Sequence, residues 1–213
     1  MPLTAKDASG NRVYSIDFDS AHEIRDKYKS GSLQCRFCDE TVFPRQRGNS
    51  IVHFFHKRKC STKLEHHPES IEHLMGKVVL AKYLEKQTRK YGAQIVIEYP
   101  IPQIGEHGRI ADVAALYPNG YVLIYECQLA SITTNELERR TNDYEEAGFD
   151  VEWWFGKAAD IPANNNWAMS KYSATQKLQF HEHSESISLS SEGGTDDSIN
   201  RSNDRKATKE HKT

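Results

Sequence analysis

In residues 70–155 the spacing of apolar residues changes from that of a helix to that of a strand and back again. This pattern limits the folds that the segment can adopt. Residues 70–91 carry apolar side chains at spacings of three and four, which is the pattern of an amphipathic helix. Three strand-like runs follow, and after them a second helical run and a last strand. The predicted elements are a helix at 70–91, strands at 94–99, 109–116 and 121–127, a helix at 134–147 and a strand at 150–155. This order of elements predicts an α/β fold.

Turn-forming residues mark the ends of these elements. Pro68 stands just before the first helix and Gly92 just after it, as is usual at helix ends. The sequence Pro118-Asn119-Gly120 is a strong turn signal between the second and third strands. Gly148 closes the second helix. We therefore expect residues 67–180 to form one domain.

Residues 1–66 are predicted to form a small module that is short of apolar residues. A strand is expected at 12–16 and a helix at 21–28. The stretch that follows has too few large apolar side chains for a good core, so it needs a further stabilising element such as a bound metal ion. The N-terminus lacks an apolar signal core, and the protein is therefore expected to be cytoplasmic. In a reducing cytosol, paired cysteines bind metal more often than they form structural disulfides.

Five cysteine and histidine residues in the first module predict a structural zinc site. Cys35 and Cys38 form a Cys-x2-Cys knuckle, which lets two thiolates reach one tetrahedral ion. His53 and His56 would complete a Cys2His2 set, which we favour, whereas His56 and Cys60 would complete a Cys3His set. Residues three apart on a strand point to opposite faces, which is an objection to the first set. Either set fills all four positions, so the zinc is expected to be structural.

Two carboxylates on neighbouring predicted strands point to a divalent-cation site. Asp112 and Glu126 both lie among apolar residues, where an acid is costly to bury unless it is paired or bound to metal. Mg²⁺, or Mn²⁺ in its place, suits this pair because it takes one or two carboxylates and keeps waters for a phosphate substrate. Gln128 shares a strand face with Glu126 and could orient a water without supplying charge. The alternative is an ordinary salt bridge at a strand end.

The overall charge gives no support for non-specific binding to nucleic acid, because the formal net charge is −2. Basic residues nevertheless surround the cysteines and histidines, as either a solvated surface or a phosphate-contacting patch. They are Arg36, Arg45, Arg47, Lys57, Arg58 and Lys59. No apolar run approaches the ~18 residues that span a bilayer, so no membrane partner is expected.

The C-terminal part of the chain differs in composition from the rest. From residue 181 onward it is rich in Ser, Asp, Glu, Lys, Asn and Thr, and it has almost no large aliphatic residues. Such a segment cannot bury enough apolar area to offset its ordering entropy. Residues 181–213 are therefore predicted to be a disordered tail.

Several runs, taken in order, resemble the CoiA-like competence protein family, whose core belongs to the PD-(D/E)xK nuclease superfamily. They are Cys35-x2-Cys38, His53-Phe54-Phe55-His56, Glu69 to His73 with Lys77, Arg109 to Val113, Glu126-Cys127-Gln128 with Ser131 and Ile132, Glu138 to Thr141 with Tyr144, and Trp153-Trp154. The resemblance covers roughly residues 5–157. It implies a restriction-endonuclease-like α-β-β-β-α-β core after a zinc-finger-like module.

The resemblance also implies roles for single residues. Asp112 and Glu126 would bind the catalytic metal, and Gln128 would stand where the superfamily has a lysine. A helix-borne catalytic acid would be Glu72 or Glu69.

Further residues are candidates for contact with DNA. Glu69, His73 and Lys77 are spaced four apart and line one helix face, as either a functional row or a solvated charged stripe. Arg140 and Tyr144, also four apart, are expected to contact phosphate or else to be simple interface residues.

The sequence thus predicts an Mg²⁺-dependent nuclease that acts on single- or double-stranded DNA, in processing or recombining DNA during competence. One alternative is a DNA-binding recombination mediator that keeps the fold but does not cut. Another is a module that mainly binds protein partners, such as recombination proteins.

Overall fold

The computed structural model of the chain describes residues 2–48, 50–58, 60, 69–181 and 186–193. The chain forms two compact units, and each unit combines two stretches of sequence. Unit 1 comprises Met1–Ala81 and Val96–Ala114, and unit 2 comprises Lys82–Ile95 and Ala115–Thr213. The predicted boundary between residues 66 and 67 lies outside the described residues.

The helices and strands follow one another in the predicted order through the middle of the chain. They are β1 (Thr4–Lys6), β2 (Arg12–Tyr14), α1 (Ala21–Lys27), β3 (Val42–Arg45), β4 (His53–His56), α2 (Ile71–Thr88), β5 (Gln94–Ile101), β6 (Arg109–Leu116), β7 (Val122–Gln128), α3 (Thr134–Glu146), β8 (Asp150–Phe155), α4 (Pro162–Tyr172), β9 (Thr175–His181) and β10 (Ser186–Glu192). The series α2-β5-β6-β7-α3-β8 confirms the predicted α/β order. In the part of the chain that is described, no helix is both long and apolar enough to cross a membrane.

Unit 1 contains two short antiparallel pairs, β1 with β2 and β3 with β4, and most of the neighbouring strands β5 and β6. Helix α1 is capped by Ser20, whose hydroxyl accepts a hydrogen bond from the Glu23 amide. These elements and the cysteine-containing stretch share one core. β1, β2 and α1 contribute Ala5, Val13, Ala21 and Ile24, and the cysteine-containing stretch contributes Leu33, Cys35, Val42, Val52 and Phe54.

Unit 2 is built on parallel strands joined by helices. β7 pairs in parallel with β8 through the crossover helix α3, and β8 pairs in parallel with β9 through α4. The β7–β8 register sets Glu126 beside Trp153 and Gln128 beside Phe155. Helix α3 is capped by Thr133 and buries Leu137, Thr141 and Tyr144. Unit 2 thus contains Glu126 and Gln128 on β7 together with the crossover helix α3.

The C-terminal residues differ from the prediction of a disordered tail beginning at 181. His181 is the last residue of β9, and Ser186–Glu192 forms β10, which pairs antiparallel with β9. Ile187 stands opposite Phe180 and Leu189 opposite Leu178 in this pair. Ile187 and Leu189 alternate with serines, which is the pattern of a strand. The polar composition of the segment as a whole does not indicate this strand. The predicted tail at 182–185 and 194–213 lies outside the described residues.

Candidate metal centres

Four potential metal ligands meet in unit 1. Cys35, Cys38, His56 and Cys60 each offer a ligand atom, and these atoms lie within 4.8 Å of one another. Cys35 and Cys38 sit in a tight turn, in which the Asp39 amide donates to the Cys35 carbonyl over 3.1 Å and Asp39 adopts a φ of 62°. The Sγ atoms of Cys38 and Cys60 are 3.3 Å apart. The arrangement brings three thiols and one imidazole to a single point.

Strand geometry explains why His56 joins this group and His53 does not. The two residues lie three apart on β4, so their side chains leave opposite faces of the strand. His53 is buried, and its Nδ1 lies 3.2 Å from the Ile51 carbonyl oxygen. The structure therefore brings together the Cys3His set that includes Cys60. It does not bring together the Cys2His2 set that the sequence analysis favoured.

The chemistry of the four residues fits a zinc ion. Burial, together with a smaller effect of the neighbouring Cys60 and Cys38, raises the pKa of the Cys35 thiol to about 12. Thiolates this close repel one another unless a cation lies between them. Three sulfurs and one imidazole make up a common donor set for tetrahedral zinc, and they leave no position open for a substrate.

A second group of metal-ligand types lies elsewhere in unit 1. Glu69, just before α2, and His73, on its first turn, meet Asp112 of β6, with one ligand atom of each within 4.8 Å of the others. His73 Nε2 is 3.0 Å from Asp112 Oδ2, and His73 Nδ1 is 3.2 Å from Glu69 Oε1. The imidazole therefore bridges two carboxylates.

Lys77 extends this group into the interior of unit 1. Its side chain is only 2% exposed, and its ammonium donates to Glu69 Oε1 over 2.6 Å and to Glu98 Oε1 over 3.3 Å. Glu98 also accepts from the Leu3 amide over 2.8 Å and from the Thr4 hydroxyl over 2.6 Å. A buried carboxylate needs such donors, and Glu98 has three of them.

The backbone of Glu98 is unusual for a strand residue. Its φ of 57° lies in the left-handed region, which costs a non-glycine residue of order 1–3 kcal/mol. The hydrogen bonds to Leu3, Thr4 and Lys77 hold the carboxylate where this backbone places it. Strain that surrounding contacts maintain in this way is typical of functional sites.

The close charges change the protonation of this group. Burial opposes a charge on His73, but Asp112 and Glu69 overcome it and raise the pKa of His73 to about 10. Burial would raise the pKa of Glu69, yet the ammonium of Lys77 and the imidazole of His73 lower it to about 2. The pKa of Asp112 is likewise lowered, against its burial, chiefly by His73. Near neutral pH, His73 is therefore protonated, and it would have to release this proton to bind a metal.

Unit 2 holds Glu126 in a separate network. Glu126 is buried, accepts a short hydrogen bond from the Tyr144 hydroxyl, and lies 3.4 Å from Arg140 Nη2. Arg140 Nη1 also donates to Gln128 Oε1 over 3.1 Å. One guanidinium on α3 thus contacts both polar side chains at the end of β7.

Aromatic packing fixes the position of this guanidinium. The Cζ atom of Arg140 lies 4.6 Å from the centre of the Trp153 ring. The indole of Trp153 in turn donates to the Thr141 hydroxyl over 2.9 Å. Arg140 is therefore held between β7 and a buried tryptophan of β8.

The structure locates each side chain that the sequence singled out. Asp112 lies in unit 1, and Glu126 and Gln128 lie in unit 2. Of the two candidate helix acids, Glu69 joins the group at Asp112, whereas Glu72 is exposed on α2.

The predicted contacts of Lys77 and Tyr144 with DNA are not supported by their placement. Lys77 is buried between two carboxylates, and Tyr144 is fully buried with its hydroxyl on Glu126. Arg140 keeps some exposure, with 22% of its side chain accessible.

Glu98 is not among the site residues predicted from the sequence. It is an acid inside an apolar strand, Ile95-Val96-Ile97-Glu98, where burial of an unpaired acid is as costly as it is for Glu126.

Comparison with known proteins matches residues 69–192, more than half of the chain, to the family model described as competence protein CoiA, nuclease-like domain. Among solved structures, the chain is similar to a repair endonuclease from Pyrococcus abyssi, with 18% sequence identity and a TM-score of 0.30. That match covers 50% of this chain and 46% of the other, so the chain spans less than half the length of that protein. No curated protein matches the sequence.

Proposed function

The chain belongs to the competence protein CoiA family through its nuclease-like domain, and from this premise we propose that it is a metal-dependent nuclease that acts on DNA. The observation that carries the proposal is the meeting of Glu69, His73 and Asp112 at one point. The order α2-β5-β6-β7-α3-β8 agrees with the restriction-endonuclease-like PD-(D/E)xK core that the family resemblance implies.

The carboxylates of Asp112 and Glu69 would hold the catalytic cation. Oxygen ligands of this kind suit Mg²⁺ and Mn²⁺, and the imidazole of His73 in the same group is a ligand that transition metals accept more readily than Mg²⁺ does. A bound cation would polarise a phosphate and lower the pKa of an attacking water. The sequence also predicts that Glu126 shares this ion with Asp112, and this sharing stays a prediction.

Arg140 supplies the positive charge that Gln128 lacks. A glutamine can orient a water but cannot stabilise the charge that develops on a phosphate. The Arg140 guanidinium donates to Gln128 Oε1 and lies beside Glu126, so it places a fixed cation at the end of β7. We therefore assign charge stabilisation to Arg140 and orientation of water to Gln128.

A cleavage assay tests the proposal. Purified protein is incubated with plasmid and single-stranded DNA in Mg²⁺, in Mn²⁺ and in chelator. Asp112→Asn should reduce the rate at least about a hundredfold, since it removes a carboxylate from the proposed centre, and Glu126→Gln tests the separate prediction that Glu126 shares the ion. Glu69→Gln and Glu72→Gln form a matched pair at the start of α2. Because Glu72 is exposed, only Glu69→Gln should reduce cleavage.

Arg140→Lys and Arg140→Gln examine the role given to the guanidinium. The lysine variant keeps the charge and should keep more activity than the glutamine variant. Equal loss in both would assign Arg140 to positioning of Glu126 instead of charge stabilisation.

A non-cleaving DNA-binding mediator is the second candidate, and two features favour it. Gln128 stands where the family resemblance would place a catalytic lysine, and Glu126 is already paired with Arg140 and Tyr144. DNA binding with no cleavage in either Mg²⁺ or Mn²⁺ would support this candidate and refute the nuclease.

The Cys3His set of unit 1 is proposed to bind one structural zinc ion. Metal analysis should find about one zinc per chain, and Cys35→Ser with Cys38→Ser should lose it. A role in competence, a cytoplasmic location and recombination proteins as partners also remain proposals. They rest on the family name and on the sequence.

A further inference from the structure

The hairpin of β3 and β4 carries two aromatic side chains on one face, each covered by a cation. Phe43 and Phe55 are directly opposed in the strand register, and their ring centres are 5.8 Å apart. The Cζ atom of Arg45 lies 3.7 Å from the centre of the Phe55 ring, and the Nζ atom of Lys57 lies 4.4 Å from that of Phe43. We call Phe43, Arg45, Phe55 and Lys57 the hairpin face.

The opposite face of the same hairpin already has its partners. Val42 and Phe54 belong to the core of unit 1, and His56 joins the cysteines. Because side chains alternate along each strand, none of these three shares a face with Phe43 or Phe55. Both phenylalanine rings stay half-buried, and Lys57 is exposed. The core thus leaves two large rings at the surface.

The charge around the hairpin face has one sign. Residues 41–58 contain Arg45, Arg47, Lys57 and Arg58 and no aspartate or glutamate, although the whole chain has a formal net charge of −2. Arg47, Lys57 and Arg58 are exposed. A local basic surface on an acidic chain is complementary to a polyanion and not to an average protein surface.

We propose that the hairpin face binds single-stranded DNA, with bases stacked on the rings and the Arg45 guanidinium and with phosphates at Lys57, Arg47 and Arg58. Aromatic rings and guanidinium planes are the usual platforms for unpaired bases, and nearby cations bind the backbone. Duplex DNA hides its base faces by stacking, so it offers phosphates but nothing for the rings. The inference deepens the proposed function, on which it rests for the choice of DNA.

Fluorescence anisotropy with a labelled oligo-dT strand, in chelator-free buffer without added Mg²⁺ or Mn²⁺, tests the proposal. The double variant Phe43→Leu, Phe55→Leu keeps apolar side chains but removes both π-faces, and it should weaken binding by about tenfold or more. Tyr14→Leu is the matched control, because Tyr14 of β2 also has a cation, Arg12, 5.7 Å from its ring centre. The control should bind as the wild type does. Circular dichroism and thermal melting of all variants check that they are folded.

The salt dependence separates stacking from charge. Lys57→Gln, Arg58→Gln should make the slope of log affinity against log salt shallower by about 1.4, since each lost contact with a single strand accounts for about 0.7. The phenylalanine variant should lose affinity with the slope unchanged. Undiminished affinity in a folded phenylalanine variant would overturn the proposal. So would tighter binding of a duplex, or tighter binding of oligo-U RNA than of oligo-dT.

These outcomes are distinct from those of the cleavage assay. A wild-type protein that binds oligo-dT through the hairpin face but cuts no DNA would refute the nuclease and keep this inference. A protein that cuts DNA and whose phenylalanine variant binds normally would do the reverse.

Discussion

Replacing Lys77 by methionine should destabilise unit 1, because two buried carboxylates lose their shared cation. The Lys77 ammonium donates to Glu69 and Glu98 over 2.6 Å and 3.3 Å, and its side chain is 2% exposed. Methionine has a similar length and fills the space with an apolar chain. The variant therefore removes the charge without opening a large cavity.

The loss of unfolding free energy depends on the hydrogen bonds and ion pairs that each carboxylate keeps. Removing one partner of a buried ion pair costs about 3–5 kcal/mol. Glu98 keeps its hydrogen bonds from Leu3 and Thr4, and Glu69 keeps His73, so we expect the lower end of that range, about 3 kcal/mol. The double variant Lys77→Met, Glu98→Gln also replaces one of the two uncompensated carboxylates by a neutral amide. It should be more stable than Lys77→Met alone by about 1–2 kcal/mol.

Urea denaturation followed by far-UV circular dichroism measures the free energy of unfolding. All three tryptophans, at 153, 154 and 167, belong to unit 2, so tryptophan fluorescence would miss a loss confined to unit 1. Hydrogen exchange at the Leu3 amide gives a local reading, because that amide donates to Glu98. Lys82→Met, at an exposed lysine of the same helix, is the control and should change stability by less than about 0.5 kcal/mol. A Lys77→Met variant as stable as this control would refute the view that the ammonium compensates the buried acids.

Three further predictions concern other parts of the chain. Cys60→Ser should lower the zinc content well below one ion per chain, whereas His53→Gln should leave it unchanged, as measured by metal analysis. Tyr144→Phe should lower the free energy of unfolding by about 1–3 kcal/mol, because Glu126 loses a buried donor, and denaturation followed by tryptophan fluorescence would show it. Leu189→Asp should speed hydrogen exchange throughout β9 and β10, because it puts a charge opposite the buried Leu178; unchanged exchange would contradict the register described.

The sequence predicts the elements whose hydrophobic period is strong and misses those that tertiary contacts stabilise. Residues 109–116 and 150–155 were predicted with the bounds that β6 and β8 have in the structure. Helix α4 was missed because Pro162–Tyr172 contains three consecutive asparagines, which are poor helix formers. One of them, Asn164, is buried and donates to the carbonyls of Ile132 and Ala159. The hydrogen bond to the distant Ile132 and the hydrogen bond to the preceding loop thus override the local preference in α4.

The candidate sites show the same limit. Residue types and spacing were enough to indicate a zinc site, but the choice between His53 and Cys60 depends on which face of β4 meets the cysteines. That face is set by pairing with β3, where Val42 and Phe54 must both enter the core. The sequence pattern of a single strand does not contain this constraint, because the constraint depends on how β3 and β4 pair.

The compensation of buried charge distinguishes the two kinds of centre in this chain. In unit 1, the carboxylates of Glu69, Glu98 and Asp112 face Lys77 and a protonated His73, which leaves one negative charge in excess. In unit 2, Glu126 faces Arg140 and the Tyr144 hydroxyl. These acids therefore have the partners they need to fold without a divalent ion. In the other group three thiols meet the imidazole of His56, and thiolates this close would form a stable cluster around a bound metal ion. We therefore expect the folding of unit 1 to depend on metal at the cysteines and not at the carboxylates.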